Sequence, residues 1–441
     1  MQSSPVPSGR LSRLLHYGSL AGGMAVGGIS ESLRRIGNSE EARSKPASVF
    51  LSPANLERLV KKFSQMRGAA LKIGQQLSIQ DSKILPAEIQ EVLIRVQNNA
   101  NFMPRGQLEK VMTKELGANW RDLFVQFDDI PIAAASIGQV HKGILKNGNI
   151  PVAVKVQYPG VKDSIDSDLN NMMMLLNASR LLPEGLYLDK TIANSRVELK
   201  WECDYIREAN NMEKFATLFK DSPTFVVPKV FREACTEKVL TQEFMTGTEI
   251  IKGNWDQETN NWIAGNIMKL CLTEIAKFKF MQTDPNWANF LYNNETGKIE
   301  LLDFGASRSF SDEFVKNYLN ALRAGVRNDR INCERFSRTL GYLTGLEAQT
   351  MVDAHVDSLI VLGEPYNASN NYHSYDFSHQ TVTDRVRTNI GVMLRERLTP
   401  PPEETYSLHR KLSGAYLLCA RLDAVVPTQK WFEEIVGLEY E

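Results

Sequence analysis

Apolar residues recur at Leu56, Leu59, Val60, Phe63, Met66, Ala70, Ile73 and Leu77, in steps of mostly three and four that place them along one face of a helix. Ser52-Pro53 supplies a start for it, because proline is tolerated where the first turn leaves its N–H groups unused. A second amphipathic stretch follows Pro86 through Ile89, Val92, Leu93 and Val96, so residues 41–120 read as a helical unit. At Phe124 the pattern changes. Residues 124–130, 139–145 and 151–156 read as short strands, and Lys146-Asn147-Gly148-Asn149 between the last two is a hairpin turn. Helical spacing returns over residues 164–182 and from 191 to about 219, followed by short strands at 225–227 and 239–244. From Trp255 onward the pattern is mainly helical, interrupted by one hairpin of residues 290–292 and 298–302. A small sheet with helices, then a helix-rich half, predicts an α+β fold of two lobes.

Composition narrows the class. Of 441 residues, 43% are hydrophobic and 23% charged, far from the composition of a disordered chain. Lys and Arg number 51 against 52 Asp and Glu, for a net charge of −1, which gives no support to a basic surface over the whole molecule or to nucleic acid as a partner. The five cysteines are odd in number, widely spaced and lack a CxxC pair, so neither a disulfide framework nor a zinc site is indicated. The charge is uneven along the chain: Arg10 and Arg13 precede the first acidic residue, Glu31, and residues 14–29 are uncharged apart from His16. That stretch is shorter than the roughly 20 apolar residues a spanning helix needs. Its Gly18/Gly22 and Gly23/Gly27 spacings suit close helix approach in a membrane, and a Gly/Ala/Ser linker is the competing reading. Residues 1–40 are therefore expected to be an anchor or linker, 41–120 a helical extension, 121–245 a smaller lobe with a helical insert, and 246–441 a helix-rich lobe.

Three segments carry candidate chemistry. In Val152-Ala153-Val154-Lys155-Val156 the valines share one strand face while Ala153 and Lys155 share the other, leaving room for a flat ligand with a charged tail. An ordinary solvated lysine is the plainer reading of that segment alone. Asp284-Pro285-Asn286-Trp287-Ala288-Asn289 is followed, across the hairpin, by Leu301-Leu302-Asp303-Phe304-Gly305. Asn289 and Asp303 have the chemistry of Mg²⁺ ligands, with Asp284 facing the reacting group. Any one aspartate near a turn is explained by bonding to its own backbone. The ordered set, downstream of a strand lysine, matches the parts of a protein-kinase-like phosphoryl-transfer site. Glu202 and Glu208 are both candidate partners for Lys155. The kinase glycine loop is absent. In its place stand Ala133, Ala134, Ala135, Ser136, Ile137, Gly138, Gln139 and Val140, with one glycine. His-Arg before the catalytic aspartate is replaced by Gln282-Thr283, and no Ala-Pro-Glu follows Asp303.

These departures, together with Lys72-Ile73-Gly74-Gln75, closely resemble the UbiB-type atypical kinases, in particular the mitochondrial members required for coenzyme Q biosynthesis. The resemblance implies a kinase-like bilobal fold with an N-terminal helical extension, binding ATP and Mg²⁺ and hydrolysing ATP in support of the coenzyme Q biosynthetic complex at the matrix side of the mitochondrial inner membrane. A small-molecule or lipid kinase, and a nucleotide-dependent scaffold, are the competing functions. By the same resemblance Lys155 contacts the phosphates and pairs with Glu208, Asn289 and Asp303 bind Mg²⁺, and Asp284 occupies the catalytic-loop position. Residues 133–140 with Glu243 and Met245 bind the nucleotide. Lys72 also acts in catalysis, with Gln75, Glu202 and Asp204 regulatory, the helix of Lys72 lying where a kinase would admit a peptide. Coenzyme Q biosynthesis proteins, anionic mitochondrial lipid and phenolic quinone precursors are the implied partners.

Overall fold

The computed structural model describes residues 4–7, 15–16, 18–20, 22–23, 26–27, 53–66, 68, 72, 95, 101–179, 188–367 and 374–441. Gln75 and all but Arg95 of the amphipathic stretch after Pro86 lie outside the described residues. In chain order, α1 (Pro53–Met66) and α2 (Arg105–Leu116) precede β1 (Phe124–Phe127), β2 (Ala133–Ala134), β3 (Gly138–Leu145) and β4 (Ile150–Gln157). Then come α3 (Val161–Ser179), α4 (Leu188–Glu202), α5 (Tyr205–Leu218), β5 (Phe225–Val226), β6 (Val239–Glu243), β7 (Thr248–Glu249) and α6 (Gln257–Thr273). The remainder holds β8 (Phe280–Gln282), β9 (Phe290–Asn293), β10 (Lys298–Leu301), β11 (Ser307–Ser309), α7 (Asp312–Val326), α8 (Arg330–Leu340) and α9 (Gln349–Gly363). It closes with β12 (Tyr375–Asp376), α10 (Val382–Glu396), α11 (Glu403–Arg421), β13 (Val425–Val426) and α12 (Thr428–Ile435). These elements form two compact units.

The first unit comprises residues 1–183, 192–210 and 229–244. Its antiparallel sheet runs β1-β3-β4-β6, with β2 pairing the free end of β3. The alternation read along β4 is realised: Val152, Val154 and Val156 are all fully buried. The hairpin between β3 and β4 turns through Gly148 at φ 81° and Asn149 at φ 50°, a left-handed pair that Asn and Gly adopt at least cost. Leu108, Val111 and Met112 of α2 are buried, and Trp120 packs edge-on against Phe124 and Phe127. Within residues 15–27 the described positions are helical, and a side chain added at Gly27 would collide with Asn55 and Arg58 of α1. The glycine at that position serves close packing onto this chain's own helix. No helix among the described residues is long and apolar enough to cross a membrane.

The continuous helix read from about 191 to 219 is two helices, α4 and α5, broken at Cys203-Asp204. The reason is local: the Asp204 carboxylate accepts from Arg207 N–H at 3.0 Å, a cap that starts a new helix instead of continuing the old one. Glu202 and Glu208 consequently stand on different helices.

The second unit comprises residues 184–191, 211–228 and 245–441. Its sheet runs β5-β10-β9-β7, with β5 parallel to β10 and the predicted β9–β10 hairpin at its centre. A separate two-stranded pair joins β8 to β11, with Gln282 opposite Ser307. The sequence reading lacked both strands, whose three residues each are too short for periodicity to register. Helix α6 ends in a π-helical turn, Glu274–Phe278, stopped by Lys279 at φ 50°. Helices α7 to α10 enclose a core of Phe336, Leu343, Met351, Val352 and Met393.

Candidate active site

In the first unit, β4 presents Lys155 beside the buried Ala153, and its Nζ lies 2.5 Å from Oε1 of Glu208, near the start of α5. The pair is nearly dry, at 14% and 3% side-chain exposure. Lys72 Nζ lies 2.9 Å from Oε1 of Glu202, the last residue of α4. The break at Cys203-Asp204 therefore separates the two acids, and each meets its own lysine. Asp204 itself is the cap of α5. Burial, with Glu202 alongside, pushes the Cys203 thiol up to about 12, which removes it as a nucleophile at neutral pH.

The alanine-rich segment is a tight hairpin. Ala133 pairs with Val140 and Ala134 with Gln139, and Ala135 N–H donates to Gly138 O at 2.8 Å. Ala133 and Ala135 are exposed, whereas Ser136, Ile137 and Gly138 are buried. Ser136 O accepts from Gly68 N–H at 2.8 Å, and Gly68 O from Lys72 N–H at 3.2 Å, so the turn carrying Lys72 is fastened to the hairpin. A Cβ at Gly138 would lie 2.7 Å from both Tyr205 Oη and Val156 O. The loop's one glycine is thus required by close packing of protein on protein. Gln139 turns inward: its Oε1 accepts from Met103 N–H at 2.8 Å and its Nε2 donates to His141 Nε2 at 2.9 Å, since His141 Nδ1 donates to Asp128 O. Glu243, at the end of β6, is exposed and accepts from Lys229 N–H at 3.2 Å.

In the second unit, Asp284 follows β8 and its Oδ1 accepts from Asn286 N–H at 3.1 Å. Asn286 in turn caps the short turn Trp287–Asn289 through Ala288 N–H. Leu302 N–H donates to Asn289 O at 3.0 Å, which places Asn289 and Asp303 side by side at the open end of the β9–β10 hairpin. Asp303 Oδ1 accepts from Gly305 N–H at 3.0 Å. Phe304 is buried, 5.0 Å from the ring of Phe215, and its carbonyl accepts from Asn211 Nδ2 at 3.0 Å. Thr283 Oγ1 donates to Ala306 O at 2.7 Å, so the strand before Asp284 and the segment after Asp303 are locked together. Asn289 Nδ2 is buried without a hydrogen-bond partner among the described residues. The Asn289 amide oxygen and the Asp303 carboxylate are oxygen donors of the kind a hard cation takes, and the Asn289 N–H groups suit the phosphate oxygens such a cation carries. Met245 is half-buried at the start of this unit's main segment.

The sequence reading missed Tyr205 and Asn211. Neither carries a motif: the Tyr205 hydroxyl lies against Gly138 and the Asn211 amide donates to the Phe304 carbonyl, contacts made only in space.

A strand lysine ion-paired to a helix glutamate, an Asp-x4-Asn turn and an Asp-Phe-Gly after a hairpin define a protein-kinase-like enzyme of ATP-dependent phosphoryl transfer. More narrowly, the chain belongs to the ABC1 atypical kinase-like family, whose domain model matches residues 95–337. Its relatives include "Atypical kinase COQ8, mitochondrial" of Saccharomyces cerevisiae, 58% identical, with 99% of this chain and 86% of that one covered. The protein of the same name in Schizosaccharomyces pombe is 51% identical, covering 98% and 70%. "Atypical kinase COQ8B, mitochondrial" of Rattus norvegicus is 46% identical, covering 97% and 81%. Among solved structures, that of Rv3197 from Mycobacterium tuberculosis, in complex with erythromycin, matches with TM-score 0.59 and 26% identity over 87% of this chain and 96% of that one. The α+β fold is accordingly kinase-like.

Proposed function

We propose that this chain is an ATP-hydrolysing atypical kinase acting in coenzyme Q biosynthesis in the mitochondrion, where hydrolysis supports the biosynthetic proteins at the matrix face of the inner membrane. The observation that carries the reading is the sealed Lys155–Glu208 pair at 2.5 Å, which holds an ammonium in the orientation that phosphate recognition requires. Lys155 binds the nucleotide phosphates, and residues 133–140 with Glu243 and Met245 hold the rest of the nucleotide. Asn289 and Asp303 hold Mg²⁺, which when bound neutralises phosphate charge. Asp284 orients the acceptor. Lys72, with Gln75, Glu202 and Asp204, governs access of the acceptor, and the Lys72–Glu202 ion pair at 2.9 Å supports that reading. With water as acceptor, its oxygen bonds to the γ-phosphorus as the bond from that phosphorus to the β–γ bridging oxygen breaks, and ADP, inorganic phosphate and a proton result.

The test is phosphate release from Mg-ATP by purified protein, with and without anionic liposomes and phenolic quinone precursors. Hydrolysis stimulated by both, and abolished by Asp303→Asn, is the expected result. A phosphorylated organic product would instead assign a small-molecule kinase. Full support of quinone synthesis in cells by a hydrolysis-dead Asp303→Asn chain would assign a scaffold.

A further inference from the structure

We propose that Glu274 and Lys411 are positioning residues that clamp Gln282, and through it hold Asp284 in the geometry phosphoryl transfer requires. The inference rests on the reading of Asp284 as the catalytic-loop carboxylate. An ordinary kinase has His-Arg immediately before that aspartate, and this chain has Gln282-Thr283.

The clamp is built from two helices that converge on one residue. The π-helical turn at the end of α6 sets Glu274, 1% exposed, against β8, where its Oε1 accepts from Gln282 N–H at 3.1 Å. Such turns break regular helix geometry and recur at functional sites. From α11, Lys411, 2% exposed, donates through Nζ to Gln282 Oε1 at 2.8 Å and lies 4.9 Å from the centre of the Phe290 ring. Gln282 is held at its main chain by a carboxylate and at its side chain by an ammonium. The same helix reaches past Asp284: Gly414 lies flat against Pro285, and its carbonyl accepts from Trp287 Nε1 at 3.1 Å. Asp284 thus sits between two segments fastened to α11.

The energetics point to geometry and not to stability. Burying a glutamate and a lysine costs more than burying two apolar side chains of the same size, and a core built for stability alone would not contain them. The network is also incompletely satisfied, since Glu274 Oε2 and Gln282 Nε2 are buried without partners among the described residues. Burial drives the Glu274 carboxyl up to about 7 against the pull of Lys411. What the arrangement supplies is a fixed strand end, and displacement of a reacting group by about 1 Å can lower a rate by two orders of magnitude.

Two readouts test this on the purified full chain. Lys411→Met removes the donor and keeps the stem. In phosphate-release assays it is expected to lower kcat at least tenfold while KM for Mg-ATP and the affinity for nucleotide stay within about twofold. Glu274→Gln keeps an acceptor for Gln282 N–H and is expected to lose less, and Lys411→Met combined with Gln282→Met no more than Lys411→Met alone. Should Lys411→Met fail to fold, Gln282→Met reports the same kcat split. Hydrogen exchange, which needs no activity, is expected to accelerate in peptides covering residues 280–289 of Lys411→Met and not in peptides of α7. Unchanged exchange at 280–289, or kcat within twofold of wild type in a folded variant, overturns the proposal. Absence of hydrolysis by the wild-type chain would refute the functional reading, and the exchange result would still decide the clamp.

Discussion

Two histidines of the second unit give the chain a specific response to acid. His355 Nε2 meets Ser337 Oγ at 2.9 Å, its ring lies 5.2 Å from that of Tyr342, and His409 lies 5.8 Å from Tyr318 with Nε2 sealed from solvent and no partner among the described residues. Burial, reinforced by Arg397, brings the imidazole of His355 down to about 3 and that of His409 to about 4. An unfolded histidine titrates near 6.5, so between pH 6.5 and about 4 the unfolded chain binds the protons and the folded chain does not. Stability is therefore full above pH 6.5 and falls as the pH drops. At pH 5.5 the loss is about 1.4 kcal/mol for each histidine. Glu274 works in the opposite sense. Its folded carboxyl, raised to about 7 from 4.5, takes up a proton first, so the fold gains roughly 2 kcal/mol on acidification from pH 7.5 to 5.5. Together these three groups leave a net loss of roughly 1 kcal/mol between pH 7.5 and 5.5, and single variants separate them. Urea unfolding at pH 7.5 and 5.5 should show His409→Phe losing about 1.4 kcal/mol less on acidification than wild type, and Glu274→Gln losing about 2 kcal/mol more. Parallel shifts at the two pH values in either variant would refute the assigned burial.

Glu208→Gln should destabilise the first unit by about 3 kcal/mol, because a nearly dry ammonium loses its carboxylate, and should weaken nucleotide binding in calorimetry. Gly138→Ala should cost about 1–3 kcal/mol in thermal unfolding, and adding Tyr205→Phe should recover only part of it, since the Val156 carbonyl remains in the way. Asp303→Asn should leave the melting temperature in the absence of nucleotide nearly unchanged and remove its rise on adding Mg-ATP, read by thermal shift.

The hairpins at Lys146-Asn147-Gly148-Asn149 and Asn293–Gly297 were legible because turn chemistry and alternation act over a few residues. So was the placement of Lys155 on a strand and of Asp284, Asn289 and Asp303 around the β9–β10 hairpin, because residue types and order are visible along the chain. The break between α4 and α5 was less legible: Asp favours an N-cap, but Asp204 stands within a stretch of otherwise continuous helical spacing, and the bond from Arg207 N–H is what identifies it as a cap. The sequence around Gly138 suits a phosphate contact and a packing position equally, and Tyr205 and Val156, which stand against it in the fold, are distant along the chain.

The sequence by itself determined the α+β class, the strand lysine, the acidic turn and hairpin, and the near-neutral body with its acid-free beginning. Tertiary structure alone decided which glutamate meets which lysine, that Gln139 faces the interior, and that Lys411, 129 residues beyond Gln282, stands behind Asp284. Local propensity and period act between neighbours in the chain. Ion pairs and buried clamps join residues whose separation in sequence carries no periodic signal, and only the folded path brings them within bonding distance.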